Sequence, residues 1–304
     1  MTIILMKFLK IIASSFSPRS VREKTRLTGR PLGFFAHSQN FQNEDDIINL
    51  LQYHLTTCEK IEPTKEPNYK VDILIVSSNS QDLSIKALDY MHSITGKEYK
   101  YGKILTLLRS EVGRQFGSFD EGYQMYKKDY DFFIFQEDDM ICHIQNYIDI
   151  ALEYWADTKE CGFVPFLGST KIHRRHRKAL GIKKDIITSC HGAHGMSDAV
   201  TLDMITKQYG RLPYNDKNNE FTDHLRFGEI MFTYSIKLLG KRFAQLNSNE
   251  ILVAPAYDLM RGLEIKATPN FLDKLNYYMD YLFKRHIYRL LDKVGLIKYL
   301  KKRD

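Results

Sequence analysis

The stretch Asp131–Met140 constrains this chain most, because four consecutive apolar residues lead, after one glutamine, into three consecutive carboxylates. The apolar run predicts a strand covered on both faces of a sheet, so the acids Glu137, Asp138 and Asp139 fall at its carboxyl end. Open α/β sheets bind their ligands at that end. Adjacent carboxylates repel one another unless a divalent cation or a basic side chain neutralises them. The stretch therefore predicts a cation site, and the alternative is an acidic turn that caps the next helix.

Strands and helices alternate along the first half of the chain. The hydrophobic patterns predict strands at 32–37, 71–76, 103–107 and within 131–140, and helices at 44–58, 83–93, 118–127 and 144–155. Further on they predict strands at 162–167 and 242–246, helices at 198–209 and 223–239, and a basic loop or helix at 171–178. This alternation predicts an α/β fold with a mostly parallel sheet flanked by helices and joined by right-handed crossovers.

The first segment, 1–28, is predicted to be amphipathic, and its apolar part, 1–16, is interrupted by Lys7 and Lys10. As a helix it would gather Leu5, Leu9 and Ile12 on one face, which is typical of an interfacial anchor or of a helix docked on a core. No segment of the chain reaches the roughly 20 uninterrupted apolar residues of a membrane-spanning helix. The four cysteines form no CxxC pair, which favours a reduced, cytoplasmic compartment.

The positive charge is concentrated near the C-terminus. The formal net charge is +7, and residues 270–304 contain nine Lys or Arg against four Asp, a local excess of +5. The nearly neutral remainder excludes a general nucleic-acid-binding surface. The segment 251–304 is predicted as a basic amphipathic helical tail that binds an anionic membrane surface from the cytoplasmic side. Packing on the domain or on a second subunit, as in a homodimer, is the alternative.

The order of three motifs resembles the GT-A fold glycosyltransferases, especially the inverting family 2 that uses nucleotide sugars. In that family a strand with a polar loop precedes a motif R-x-x-N-x-G-x-x-x-A-x-N-x-G and an apolar strand that ends in D-x-D. The matching stretches here are Ile73–Asp82, Arg109–Gly122 and Phe132–Asp139. Two departures are Glu137 at the first Asp of D-x-D and Ala36–Asn40 at the end of the first predicted strand.

The resemblance implies a GT-A, Rossmann-like domain at 29–250, with a nucleotide-sugar-binding half at 29–140 and an acceptor half at 141–250. The implied activity is a metal-dependent transfer, with inversion, of a sugar from a nucleotide-diphosphate sugar to a glycan or lipid-linked glycan. Polysaccharide or lipopolysaccharide biosynthesis would be the pathway.

Site residues follow from the same resemblance. Asp139 is the expected main ligand of Mn²⁺ or Mg²⁺, Glu137 would contact the metal or the ribose, and Asp138 would face the sugar. The nucleotide sugar would also contact Ala36, Ser38, Asn79, Asp82 and Arg114. Glu229 matches the family's general base, with Asp223 and Glu220 as reserves, and the second acid of the family's pair is missing.

Two further groups have open interpretations. His191 and His194 lie in a glycine-rich turn and are either metal or acceptor contacts or structural residues. The basic cluster of Arg174, Arg175, Arg177 and Lys178 either holds phosphates of a donor or of a lipid-diphosphate acceptor, or is a solvated face.

Two other activities compete with glycosyl transfer. A nucleotidyltransferase on a similar sheet would need a glycine-rich phosphate loop near the first strand, and Gly29–Gly33 is a poor version of one. A catalytically inactive interaction module docked on a membrane would explain the missing second acid.

Overall fold

The computed structural model describes residues 5–15, 44–61, 69–78, 84–110, 112–167, 169–172, 174–182, 188–190, 194–216, 224–244, 246 and 252–255. The strands are β1 (Met6–Ser15), β2 (Tyr69–Ser78), β3 (Glu98–Tyr99), β4 (Gly102–Arg109), β5 (Phe132–Glu137), β6 (Met140–Cys142), β7 (Cys161–Pro165), β8 (Ser169–Lys171), β9 (Thr188–Cys190), β10 (Gly195–Asp198), β11 (Arg242–Phe243) and β12 (Val253–Pro255). The helices are α1 (Glu44–Glu59), α2 (Ile85–Ile94), α3 (Arg114–Tyr126), α4 (Tyr147–Asp157), α5 (Arg174–Ala179), α6 (Ala199–Tyr209), a π-helical segment (His224–Ile230) and α7 (Met231–Leu238).

Eight strands form the main sheet in the order β11-β7-β10-β5-β1-β2-β4-β3. Strands β4, β2, β1 and β5 are parallel, whereas β10 runs antiparallel to both of its neighbours and β3 runs antiparallel to β4. The α/β prediction is confirmed, and the sheet is mixed. The order of the four parallel strands matches the first half of a Rossmann sheet, whose direction of winding reverses between β1 and β5.

The N-terminal segment was predicted as a helix, and this prediction was wrong. Residues Met6–Ser15 form the central strand β1, which pairs with β2 from Met6 to Ser15 and with β5 from Phe8 to Ala13. Short apolar runs are ambiguous between a strand and a buried helix, and a strand buried on both faces needs no alternation of polar residues. The domain boundary at residue 28 therefore separated a strand from its own sheet, and the other boundaries stay predictions.

Lys10 is the residue of β1 that made the segment resemble an amphipathic helix in the sequence. Its side chain is fully buried, its Nζ donates to Cys58 Sγ at 3.6 Å, and it lies 5.2 Å from the ring centroid of Tyr147. Soft, polarisable partners thus surround the buried amine in place of water. A lysine in a central strand is rare enough that the pattern alone favoured an amphipathic segment.

Hydrophobic cores cover both faces of the sheet. Along β1, Phe8 and Ile12 face one core while Leu9 and Ile11 face the other, as the two-residue period of a strand requires. The first core is closed by α1, α2 and α4, and the second by α3, α6 and α7. This two-sided covering explains why β1, β2 and β5 are almost continuously apolar.

Most other predicted elements are confirmed within a few residues. The glycine-rich turn before residue 198 was expected to open a helix, but Gly195–Asp198 is strand β10 and α6 begins at Ala199. Asp198 caps α6 because its Oδ1 accepts from Thr201 N at 3.0 Å. The helix predicted at 223–239 consists of the π-helical segment followed by α7.

Other predictions fall on residues that the structure does not describe, including the strand at 32–37 and the helical part of the tail, 256–304. Across the described residues, every helix is too short or too polar to cross a bilayer.

Candidate functional site

The carboxyl ends of the four parallel strands meet at one edge of the sheet, as the topology requires. Strand β10 runs the other way, so its first residue, Gly195, pairs with Phe135 near the same edge. The residues Glu137–Asp139, named here the acidic turn, follow β5 and lie beside the end of β1. The turn therefore occupies the switch point of the sheet, which is where open α/β sheets bind ligands.

Asp138 is the most firmly held residue of the acidic turn. Its backbone N–H donates to Ala13 O at 3.1 Å, and its Oδ2 accepts from Ser14 Oγ at 3.0 Å. His54 Nε2 lies 2.8 Å from Asp138 O, and Ser78 Oγ donates to Ser14 O at 3.2 Å. The Asp138 carboxylate is 3% exposed and turned toward β1. The contact between Asp138 and a sugar stays a prediction. The orientation of the carboxylate toward β1 does not favour it.

His54 extends from α1 to fix the turn from a second side. Since its partner is a backbone carbonyl, Nε2 must carry the proton, and the ring acts as a neutral donor. Burial, together with the charge of nearby Lys10, lowers the pKa of His54 to about 3. The neutral ring is therefore the stable form at neutral pH, and the hydrogen bond to Asp138 O does not depend on a charge.

Glu137 lies on the opposite face of β5, toward α3. Gln115 Nε2 donates to Glu137 Oε1, and His194 Nε2 lies 3.5 Å from Glu137 Oε2. His194 is 3% exposed and immediately precedes β10. The contact makes His194 a neighbour of the acidic turn, and a direct role in ligand binding stays a prediction.

The acidic turn matches the donor set of a hard divalent cation. Asp139 is 9% exposed at the switch point, and Glu137 is half-buried beside it. Among the residues that the structure describes, no group of three or more His, Cys, Asp or Glu side chains could hold a metal ion alone. Mg²⁺ in nucleotide sites is held by one or two carboxylates together with substrate phosphates and waters. A turn that brings the Asp139 and Glu137 carboxylates to the switch point fits that kind of site.

The start of α3 is fixed by two unusual backbone residues. Gly113 has φ +73° and Arg114 has φ +50°. A Cβ at Gly113 would lie 2.2 Å from the ring of Tyr214, so only glycine allows this approach. The buried Arg109 side chain also holds the loop, since its Nη2 donates to Val112 O at 2.7 Å and its Nε to Glu121 Oε2 at 2.7 Å. Arg114 is thereby placed as the first residue of α3, one residue before Gln115.

The segment that contains Glu229 packs on the start of α3. A Cβ at Gly228 would lie 2.5 Å from Phe116 Cδ2, and the rings of Phe116 and Phe232 are 5.9 Å apart. Phe116 follows Gln115, the residue that donates to Glu137. Glu229 is half-buried in the π-helical segment, a rare geometry that often occurs at functional sites. The structure thus connects Glu229 to the acidic turn through α3.

Several predicted site residues lie outside the described part of the chain. They are Ala36, Ser38, Asn79, Asp82, His191, Glu220 and Asp223. Their roles stay predictions, as do those of Arg114, Glu137, Asp138, Asp139 and Glu229.

Three residues that hold the acidic turn were missed in the sequence: Ser14, His54 and Gln115. Ser14 was overlooked because its strand was taken for a helix. His54 had a detectable signal, since it follows Leu51 by three residues and precedes Cys58 by four, and therefore falls on the apolar face of α1. Gln115 lies within the stretch Arg109–Gly122 that matches a family motif, but no neighbouring residue in the sequence indicates that it contacts Glu137.

No protein-family model matches this chain, and no curated protein matches it. Several solved structures are similar to it. A provisionally assigned nucleotide-diphospho-sugar transferase from Desulfovibrio desulfuricans G20 is 10% identical, with 79% of this chain and 79% of that chain covered and a TM-score of 0.41. A 4-diphosphocytidyl-2C-methyl-D-erythritolsynthase from Anaerococcus prevotii DSM 20548 is 9% identical, with 93% and 98% covered and a TM-score of 0.42.

A provisionally assigned glucose-1-phosphate thymidylyltransferase from Bacillus anthracis, in complex with a sucrose, is 13% identical, with 87% of this chain and 97% of that chain covered and a TM-score of 0.42. Identities and TM-scores this low do not carry a function over to this chain. A function for the chain must therefore come from its own residues.

Proposed function

We propose that this protein is a metal-dependent glycosyltransferase that moves a sugar from a nucleotide-diphosphate sugar to a glycan or lipid-linked glycan acceptor. The observation that carries the proposal is the acidic turn, which lies at the switch point of the sheet and is held there from β1, α1 and α3. The order of the three motifs along the chain supports the same activity. Inversion at the anomeric carbon rests on the resemblance alone.

Asp139 would hold the Mn²⁺ or Mg²⁺ ion, with Glu137 as a second carboxylate or a ribose contact. When bound, the metal would supply a Lewis acid for the diphosphate, which gains negative charge as it leaves. Asp138 has a supporting role in this scheme, because its hydrogen bonds to Ser14 and His54 fix the position of Asp139. Gln115 would fix the orientation of Glu137 in the same way.

Glu229 would act as the general base that takes the proton from the acceptor hydroxyl. Its helix is packed on the start of α3, so the base and the acidic turn would share one rigid support. A base on such a support keeps a fixed distance to the reacting carbon, which is a large part of what positioning contributes to catalysis. Asp223 is the reserve for this role.

The setting of the reaction belongs to the same proposal. We propose that the basic tail binds the anionic inner face of a membrane, where a lipid-linked acceptor of polysaccharide or lipopolysaccharide synthesis would be found. Flotation with phosphatidylglycerol vesicles should show the full chain bound and a chain lacking residues 270–304 largely unbound. Equal flotation of the two would mean that the tail packs on protein.

A panel of nucleotide-diphosphate sugars tests the activity. Binding of at least one of them should require Mn²⁺ or Mg²⁺, and turnover with an acceptor extract should release the nucleoside diphosphate. Binding that is the same with EDTA, or no binding to any member of the panel, would contradict the proposal. Metal-dependent binding without any turnover would favour the inactive module.

A nucleotidyltransferase is the alternative activity. The products separate the two activities: a nucleotidyltransferase releases pyrophosphate from a nucleoside triphosphate and a sugar phosphate, whereas a glycosyltransferase releases a nucleoside diphosphate.

A further inference from the structure

A short basic excursion interrupts the second half of the fold. Strands β8 and β9 pair from Ser169 with Cys190 to Lys171 with Thr188, and α5 lies between them. We name residues 169–190 the basic excursion. The six residues of α5 read Arg-Arg-His-Arg-Lys-Ala, so this helix contains four Arg or Lys side chains and no acid.

Apolar contacts hold the excursion against the helix that contains Glu229. Ile172 and Ile182, one on each side of α5, form a buried cluster with Ile230, and each of the three is at most 6% exposed. Ile230 directly follows Glu229. Burial raises the pKa of the Cys190 thiol, and the negative charge of Glu229 adds to the rise, so the end of β9 lies within electrostatic range of this acid.

Three of the four cations of α5, Arg174, Arg175 and Lys178, are exposed. Arg175 Nε donates to His176 Nε2 at 3.3 Å, and His176 is 5% exposed, so the helix is fixed through its histidine. Neither Arg174 nor Lys178 forms an ion pair with any residue in the described ranges. Several like charges on less than two turns repel one another, and an anion that binds there removes this repulsion.

Contacts in the folded chain connect the acidic turn, α3, the helix of Glu229 and the basic excursion in that order, which differs from their order in the sequence. The acidic turn contacts α3 through Gln115, α3 supports the helix of Glu229, and that helix supports the basic excursion. The proposed base therefore belongs to a segment that contacts both α3, which contacts the acidic turn, and the basic excursion. A donor bound through a metal would occupy the acidic turn, which leaves the basic excursion for the molecule that gives its proton to Glu229.

We propose that α5 binds a phosphate group of the acceptor, which makes the acceptor a phosphorylated sugar or a prenyl-diphosphate-linked sugar. This inference rests on the proposed function for the identity of the acceptor side. Guanidinium groups fit phosphate oxygens in pairs, and lysine adds a compact charge, so Arg174, Arg175 and Lys178 suit a phosphate ester better than a neutral glycan.

The test compares two double variants. Arg174→Ala/Lys178→Ala removes two exposed cations of α5, and Lys97→Ala/Lys159→Ala removes two exposed cations outside the basic excursion, one directly before β3 and one two residues before β7. Glucose 6-phosphate and farnesyl diphosphate serve as probes, with glucose and farnesol as their uncharged counterparts. Affinities are measured by isothermal titration calorimetry at low salt.

At least one phosphate probe should bind the unmodified chain more tightly than its uncharged counterpart. The α5 variant should weaken that binding by about five- to tenfold, and the control variant should leave it within about twofold. The probe that binds identifies the source of the phosphate. Equal binding to all three proteins would overturn the inference, and so would equal binding of charged and uncharged probes.

Two further measurements keep this result separate from the proposed function. Metal-dependent binding of nucleotide sugars should be unchanged in the α5 variant. If the unmodified chain and both variants all fail to bind nucleotide sugars with metal, the proposed function is refuted, and the phosphate measurement is unaffected. Phosphatidylglycerol vesicles without acceptor form the last arm. If the α5 variant loses vesicle binding while neither soluble probe binds, the surface contacts membrane and the inference is wrong.

Discussion

The acidic turn and the basic excursion are both charged segments of the candidate site, but the fold holds them in opposite ways. In the acidic turn Asp138 and Asp139 are buried, and the turn is fixed by polar contacts from Ser14, His54 and Gln115. In the basic excursion Arg174, Arg175 and Lys178 are exposed, and apolar contacts of Ile172 and Ile182 hold the segment in place. Buried charges need partners of defined geometry, whereas exposed charges are hydrated and need only a stable support.

This difference predicts where the molecule is sensitive to substitution. At the acidic turn, a change of one side chain should alter function, stability or pH dependence, because each partner there has a specific geometry. At the basic excursion, a change of a charged side chain should alter binding and leave the fold intact. The following predictions, from the largest expected effect to the smallest, test this contrast.

Asp139→Ala should reduce turnover by at least about 100-fold, because it removes the main expected metal ligand and leaves the partners of Asp138 in place. Asp157→Ala, an exposed acid at the end of α4, serves as the control and should retain activity. Initial rates with the best donor of the panel, together with circular dichroism of both variants, provide the measurement. Near-normal rates for Asp139→Ala would place the metal elsewhere.

Gly113→Ala should lower the free energy of unfolding by about 2–4 kcal/mol, since both a positive φ and a close contact with Tyr214 oppose a side chain there. Gly96 offers a matched control, with φ +78° and no described atom within 4 Å of an added Cβ. Its replacement by Ala should cost only about 1 kcal/mol. Urea unfolding of both variants gives the comparison. Equal losses would mean that the approach of Tyr214 does not fix the start of α3.

His54 should make the folded state sensitive to acid. Its pKa is about 3 in the folded chain and near 6.5 when unfolded, so between these values only the unfolded state binds the proton. Stability is therefore lost as pH falls below about 6.5, by up to about 1.4 kcal/mol per pH unit for this residue.

His54→Gln keeps a donor for Asp138 O and removes the titration, so its unfolding free energy should fall less steeply between pH 6.5 and 4.5 than that of the parent chain. The exposed His92 on α2 provides the control, and His92→Gln should leave the slope unchanged. Parallel slopes for His54→Gln and the parent would show that the ring is not held neutral by the fold.

Arg174→Ala/Lys178→Ala should change the free energy of unfolding by less than about 0.5 kcal/mol, because both side chains are exposed and form no described ion pair. Thermal unfolding in 50 mM and 300 mM salt is the measurement. A large loss of stability would mean that the charges of α5 hold the excursion in place, and the contrast between the two regions would fail.

The elements from α1 to β5, apart from the two-residue strand β3, were predictable because each has a clear local signal. Their apolar residues repeat at the helical period or form short continuous runs, and polar residues separate them. Strand β10 had no such signal, since Gly195–Asp198 contains one large apolar residue. Its position depends on contacts distant in sequence, such as Ser197 Oγ donating to Gly162 O at 2.7 Å and the approach of Gly195 to Phe163.

The candidate site was predictable to the same extent. The acids of the turn could be identified because a run of carboxylates after a buried strand is conspicuous in any sequence. Their partners could not, because Ser14 and Asp138 are 124 residues apart and His54 and Asp138 are 84 apart. Hydrophobic periodicity indicates only contacts between residues that are close in sequence. Hydrogen bonds between residues this far apart can therefore be identified only in the folded chain.

By itself, the sequence determined that an α/β sheet forms and that one of its strands ends in carboxylates, because periodicity and composition are local properties of a chain. The tertiary structure decided which strand lies beside that end. Pairing of Phe8 with Phe132 and of Ala13 with Glu137 makes β1 the neighbour of β5 and brings Ser14 to Asp138. Strand order is set by the burial of both faces of the sheet at once, and this condition involves every element of the fold.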